Sequence, residues 1–181
     1  NNREEFNDVG FMINLEARGP FGPALLFETS PGNGKLMELY ESVAEYPFTY
    51  SLTTVVYGFM PNFTDFTIVK DEIPGMNFST IADINHYHTD LDNFSNVNAS
   101  SIQHYGSQVV PVVHKYLTDA QYSSRSSLVS DADTINFTLP LIGLFNFTKG
   151  QYIMLNCVIF VLLATALVLE VLRGRVQLAK V

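Results

Sequence analysis

The sequence predicts an α/β domain, a mixed and mostly parallel sheet flanked by helices, followed by one transmembrane helix. Three observations predict it. Short apolar or β-branched runs alternate with segments of helical period between residues 9 and 117. Clusters rich in Gly and Pro at 19–23 and 30–34 punctuate them. Residues 152–169 hold a single strongly polar side chain, Asn156, and with the next three residues reach bilayer length at about 1.5 Å rise per residue.

Residues 1–7 are polar and acidic, a helix end or a linker. Residues 9–16 (Val-Gly-Phe-Met-Ile-Asn-Leu-Glu) are short, apolar and end on an acid, as a buried strand does. After a Gly/Pro loop, 24–27 form a second strand ending on Glu28. Leu36, Leu39, Tyr40, Val43 and Ala44 fall at helical spacing, with Glu38, Glu41 and Glu45 opposite; this helix stops before Pro47. Residues 53–59 are β-branched and aromatic, hence a predicted strand. Thr64 and Asp65 cap a short helix reaching Lys70, and 75–81 form another strand.

That strand leads into Asn85-His86-Tyr87-His88-Thr89-Asp90-Leu91-Asp92, the densest group of chemically versatile side chains in the sequence. Residues 100–117 are periodic in Ile102, Tyr105, Val109, Val110, Val113 and Leu117, with Pro111 as a kink. Residues 119–133 are rich in Ser and Asp without apolar period, a predicted linker; 135–147 alternate in part. The expected organisation is a domain over 1–118, a linker and juxtamembrane segment over 119–150, a membrane helix over 151–172 and a basic tail over 173–181.

The chain has 181 residues, room for one domain and an appendage. Residues 1–150 carry seven Lys and Arg against seventeen Asp and Glu, a net charge of −10 that argues against a nucleic-acid partner. Arg173, Arg175 and Lys180 follow the apolar run without an acid among them. The positive-inside rule then puts the tail in the cytoplasm and the domain outside the cell or in a lumen. Cys157 is the one cysteine, so neither an internal disulfide nor a cysteine metal site is expected. The chain begins at Asn1 with no visible signal peptide, which reads as a processed or truncated start. Asn62, Asn77, Asn93, Asn98, Asn136 and Asn146 each head an Asn-x-Ser/Thr triplet, which fits an exported face. No Gly-x-Ser-x-Gly elbow, phosphate loop or His-Glu-x-x-His motif occurs.

Two residues stand out as candidate ligands. Glu16 ends a strand before a Gly-rich loop, where α/β sheets collect ligands; a solvated acid at a strand end fits the same spacing. His88 follows another strand, with Tyr87 before it and Asp92 four residues on. A zinc-bound imidazole backed by a carboxylate and a hydrogen-bonded loop histidine both fit that pattern. His86 competes for any ligand role, whereas His104 and His114 lie ten apart on a helix, off ligand spacing.

Six segments in order carry a resemblance. They are Asn14-Leu15-Glu16-Ala17-Arg18-Gly19, Leu26-Phe27-Glu28-Thr29, Asn62-Phe63-Thr64-Asp65-Phe66, Pro74-Gly75-Met76-Asn77-Phe78, Tyr87-His88-Thr89-x-x-Asp92 and Gln103-His104-x-Gly106. Over residues 9–117 the chain resembles the C-terminal half of the co-catalytic zinc aminopeptidase family. Within it, the Asn-Leu-Glu-Ala-Arg-Gly form and the membrane segment look most like the vacuolar membrane protease and endoplasmic-reticulum metallopeptidase branch. The resemblance implies a membrane-anchored exopeptidase acting on peptide substrates, with membrane lipid around its anchor.

It also implies two zinc ions at the strand ends, held by a histidine, a bridging aspartate, a glutamate, a further acid and a late histidine. By resemblance Glu16 is the further acid and His88 the late histidine, one on each zinc. Tyr87 matches a tyrosine that donates to the substrate carbonyl oxygen, and Asp65 and Asp92 match acids supporting the site. A zinc pair acidifies water and polarises a carbonyl, and a glutamate base moves the proton. The family's first histidine, bridging aspartate and Glu-Glu pair precede the strand ending in Glu16. Glu4-Glu5 sits too close to that strand and reads as the end of the intervening helix. Two of five ligands are therefore present and the base is not, so the N-terminal half is a required partner and this chain alone is an inactive piece of an enzyme. Two other outcomes fit the resemblance: a non-catalytic ectodomain of the transferrin-receptor type, and a one-zinc acyltransferase of the glutaminyl cyclase branch.

Overall fold

Strand β3 (Gly75–Thr80) is buried at every position and forms the middle of a three-stranded sheet. The computed structural model describes residues 6–175, so Glu4, Glu5 and Lys180 lie outside the described residues. The chain divides after Asn146 into two units.

In the first unit β1 (Met12–Ala17) runs parallel to β3, and β2 (Leu25–Thr29) runs antiparallel to it. The sheet is therefore mixed in equal parts. Side chains alternate across it. Met76 and Phe78 face a core built with Leu36, Met37, Leu39 and Tyr40 of α1 (Gly34–Val43) and Val112 of the long C-terminal helix of this unit. Met12 packs on the opposite face, against the small cluster of Phe66, Val69 and Ile73.

Strict alternation would put Glu28 on the same face as Leu26, in the apolar core. It does not, because Leu26 opposes Phe78 while Glu28 opposes Asn77, so two steps on β2 match one on β3. This β-bulge at Phe27 turns the Glu28 carboxylate to the other face. The Phe27 carbonyl then accepts hydrogen bonds from the Thr53 and Thr54 hydroxyls, at 3.2 and 2.8 Å. Those threonines lie on α2 (Ser51–Gly58), where a strand was predicted. The β-branched composition is real, but the two hydroxyls cap the bulge and Tyr57 packs edge-on to Phe27 at 4.9 Å, and both contacts require the helical spacing.

Gly75 has no room for a side chain: a Cβ there would sit 2.5 Å from the Phe66 ring and 2.6 Å from the Met12 carbonyl oxygen. Helix α3 (Ala99–Thr118) is capped by Asn98, whose side chain accepts from the backbone N–H groups of Ser100 and Ser101, and it carries Pro111 internally. The predicted linker 119–133 is packed. Tyr122 and Leu128 join the main core from short 3₁₀ turns, and the Arg125 guanidinium donates to the carbonyls of Phe6, Asn7, Val9 and Glu72. Isolated 3₁₀ turns leave no apolar period to detect. β4 (Thr134–Leu139) and β5 (Gly143–Thr148) pair as a hairpin.

The second unit holds α4 (Lys149–Leu172), opened by a capping box between Thr148 and Gln151. It has 24 residues, and an 18-residue window within it has a mean hydropathy of 2.5, long and apolar enough to cross a membrane.

Candidate functional site

Because β1 and β3 are parallel with Glu16 opposite Ser79, both chains leave the sheet at the same end. Glu16 thus stands where the segment carrying His88 begins. Tyr105 of α3 ties the two strand ends together: its hydroxyl donates to the Glu16 carbonyl oxygen and accepts from the Thr80 N–H at 2.6 Å. Burial raises the Tyr105 pKa, followed by smaller effects that include the nearby Glu16 charge, so the phenol stays a proton donor. Gly19 lets the loop after β1 press onto the exit of β3, since a Cβ there would lie 1.9 Å from the Ala82 carbonyl oxygen. The Thr80 hydroxyl donates to the Gly19 carbonyl at 2.7 Å, and the Ala82 N–H donates to the Phe21 carbonyl at 3.1 Å.

The Glu16 side chain is half-buried and lines an open cleft of about 410 Å³ with Phe63, Thr64, Asp65, Thr67 and Ile68. One carboxylate oxygen, Oε1, accepts from Asn14 Nδ2 at 3.0 Å; Oε2 has no hydrogen-bond partner among the described residues. Behind Glu16 runs a connected polar chain. Asn14 Nδ2 also donates to Asn77 Oδ1 at 2.9 Å. Asn77 Nδ2 donates to Glu28 Oε2 at 3.0 Å and to the Thr64 hydroxyl at 2.9 Å. Glu28 Oε1 then receives the Lys70 ammonium at 2.6 Å. None of Asn14, Asn77, Glu28 and Lys70 was singled out as a site residue from the sequence. The available signal was an asparagine in the interior of each of two strands, where asparagine is disfavoured; Lys70 gave none.

Just past the end of β1, the Arg18 guanidinium carbon sits 5.8 Å from the Tyr87 ring centroid, and the Tyr87 and His88 rings stack at 3.8 Å with 19° between planes. Arg18 thereby links the loop after β1 to the histidine stretch. His88 has φ +57°, a left-handed conformation that costs a non-glycine residue roughly 1–2 kcal/mol. It is exposed, and its ring nitrogens make no hydrogen bond among the described residues. His86 is half-buried, with Nδ1 enclosed and without a partner. Asp65 opens a 3₁₀ turn (Asp65–Ile68) capped by Thr64 and faces the cleft with Glu16. Asp92 is exposed and makes no side-chain hydrogen bond to His88.

The structure therefore brings Glu16 and Asp65 to one cleft and ties Tyr87 and His88 to the loop after Glu16. It does not gather three His, Cys, Asp or Glu side chains into a metal-binding group among the described residues. The donor types suit zinc: a carboxylate with one oxygen unengaged and an imidazole with no competing hydrogen bond. They fit as contributors to a metal and fall short of a full coordination sphere.

A mixed sheet with a carboxylate and a histidine loop at its strand ends defines an α/β domain with a polar site outside the sheet. The chain belongs to peptidase family M28, whose family model matches residues 1–113. It is 34% identical over 138 residues to the human (Homo sapiens) protein named endoplasmic reticulum metallopeptidase 1, covering 74% of this chain and 15% of that one. The rat (Rattus norvegicus) protein of the same name is 37% identical over 120 residues, 64% of this chain and 13% of its own length. A Candida dubliniensis vacuolar membrane protease is 28% identical over 102 residues, 55% of this chain and 11% of the other. The chain thus spans a small part of the curated relatives it matches. No solved structure matches it.

Proposed function

We propose that this chain supplies one wall of the active site of a membrane-anchored, zinc-dependent exopeptidase, most specifically an aminopeptidase. The observation carrying this reading is the convergence of the loop after Glu16 and the segment of His88 at one end of the parallel pair, joined by Arg18 and Tyr87. Glu16 Oε2 and a His88 ring nitrogen would each hold a metal ion, with the remaining ligands and the proton-shuttling base coming from residues outside this chain. When bound, the zinc pair supplies a Lewis acid for the scissile carbonyl and a more acidic water.

Other residues of this chain act on the substrate and the anchor. The Tyr87 hydroxyl donates to the carbonyl oxygen as negative charge builds there, and stacking on His88 limits its ring's motion. Asp65, which lines the cleft with Glu16, and Asp92, four residues after His88, would support the completed site, and the acidic domain favours a free substrate amine. α4 anchors the domain in the bilayer, with Arg173 and Arg175 on the cytoplasmic side and the domain lumenal or extracellular. In the full-length protein, His88→Ala and Glu16→Ala should each abolish metal-dependent release of N-terminal residues from an aminoacyl p-nitroanilide. Undiminished turnover in either variant would remove that residue from the site.

A second reading is a non-catalytic ectodomain of the same fold. Wild-type protein that is fully metal-loaded but cleaves no peptide would support it. A one-zinc glutaminyl cyclase-like acyltransferase is distinguished by pyroglutamate formation on an N-terminal glutamine peptide.

A further inference from the structure

We infer that the buried Lys70–Glu28 pair sets the orientation of the Glu16 carboxylate through the side-chain amides of Asn77 and Asn14. The inference rests on the proposal that Glu16 holds a metal.

An asparagine amide can sit either way round unless its neighbours decide, because its oxygen accepts and its nitrogen donates. Here the contact to the Glu28 carboxylate decides. Glu28 is a pure acceptor, fixed in that role by Lys70 at 2.6 Å. Only the nitrogen of Asn77 can therefore face Glu28, and that nitrogen also donates to the Thr64 hydroxyl. Asn77 must then show its oxygen to Asn14, so Asn14 must show its nitrogen to Asn77. The same Asn14 nitrogen carries a second N–H, which it gives to Glu16 Oε1. The order is strict: the anion at Glu28 dictates two amide orientations, and the second presents a donor to the Glu16 carboxylate two residues along β1 from Asn14.

The consequence is that Glu16 Oε1 is held by an N–H while Oε2 stays available on the cleft side. Were Asn14 turned over, its oxygen would face the carboxylate and push it out of place. The β-bulge at Phe27 has its use here, because without it Glu28 would point into the apolar core and the chain would have no anion at its head. Partners lying behind a metal ligand tune its position and basicity, and losing one typically lowers metal affinity by about 10–100-fold. Lys70, Glu28, Asn77 and Asn14 are accordingly positioning residues, none of them touching substrate.

The test is zinc affinity of the metal-stripped full-length protein in detergent, by competition with a chromophoric chelator, with the visible spectrum of the cobalt-substituted form as a second readout. Glu28→Gln replaces the pure acceptor with an amide that tolerates either orientation of Asn77. It should weaken zinc binding by about 10–100-fold and alter the cobalt spectrum. Glu28→Gln combined with Asn77→Asp moves the anion one step along; the carboxylate so introduced again accepts only, so Asn14 must donate to it. That double variant should recover affinity and spectrum, which a purely packing role for Glu28 would not produce.

Should Glu28→Gln alone fail to fold, Glu28→Gln with Lys70→Met, which leaves neither charge of the pair behind, takes its place in the comparison. Equal zinc affinity in wild type and the Glu28 variants, with Glu16→Ala weakened, overturns the relay and keeps the site. Failure of the Asn77→Asp combination to recover affinity also overturns it. Unchanged affinity in Glu16→Ala overturns the site assignment itself.

Discussion

Replacing Lys70 with methionine would leave the Glu28 carboxylate buried without its cation. The Glu28 side chain is 2% exposed and the Lys70 side chain 30%. At their 2.6 Å separation the Coulomb attraction is about 6 kcal/mol at an effective dielectric near 20, set against the cost of drying the carboxylate. Removing one member of a buried pair costs about 3–5 kcal/mol. Water reaches part of the ammonium, and Asn77 still donates to Glu28 in the variant, which brings the cost below that range, to about 2–3 kcal/mol. The control is Lys35→Met: Lys35 and Glu38 pair at 2.9 Å with side chains 48% and 58% exposed, and such a pair contributes about 0–1 kcal/mol. Urea unfolding of the full-length protein, followed by tyrosine fluorescence, should show a midpoint lowered by roughly 1 M in Lys70→Met, given a slope of about 1–3 kcal/mol per molar. Lys35→Met should barely move it. Equal midpoints for the two variants would refute the description of Lys70–Glu28 as a buried anchor.

Other outcomes follow from single residues. His104 accepts the Ala24 N–H on Nδ1 at 3.0 Å, and burial, first among its causes, lowers its pKa below the ordinary value of about 6.5. The folded state thus favours the neutral ring; its contribution is fully present above about pH 6.5 and is lost as pH falls through the lower folded value. His104→Gln should flatten stability measured between pH 7.5 and 5, and an unchanged slope would contradict this. Among the Asn-x-Ser/Thr triplets, Asn77 and Asn136 are buried while Asn93 is exposed. Mass spectrometry of protein made in a glycosylating secretory host should find a glycan at Asn93 and none at Asn77 or Asn136. A glycan at Asn77 would contradict the register of β3.

Much of this architecture was legible in the residues. β1, β2, β3, α1, α3 and α4 lie where short apolar runs, a 3.6-residue period or a long apolar stretch put them, because each buries a face that its own pattern encodes. Residues 53–59 misled for a tertiary reason: two threonine hydroxyls and Tyr57 meet the bulge at Phe27, and no local pattern reports a bulge on a neighbouring strand. Residues 119–133 misled because Tyr122, Arg125 and Leu128 fasten the segment one residue at a time. At the site, the motifs containing Glu16 and His88 were visible as resemblance. The chain of side chains behind Glu16 was not, since it joins β1, β2, β3 and Lys70 across gaps of 42 to 63 residues.

The central claim is that Glu16 and His88, rather than His86, hold metal. Metal content per chain should be measured by mass spectrometry on the full-length protein, purified without chelator, as wild type, Glu16→Ala, His88→Ala and His86→Ala. Glu16→Ala and His88→Ala should lose bound zinc while His86→Ala keeps the wild-type complement. A His88→Ala protein that retains all its zinc, with loss instead in His86→Ala, would contradict it.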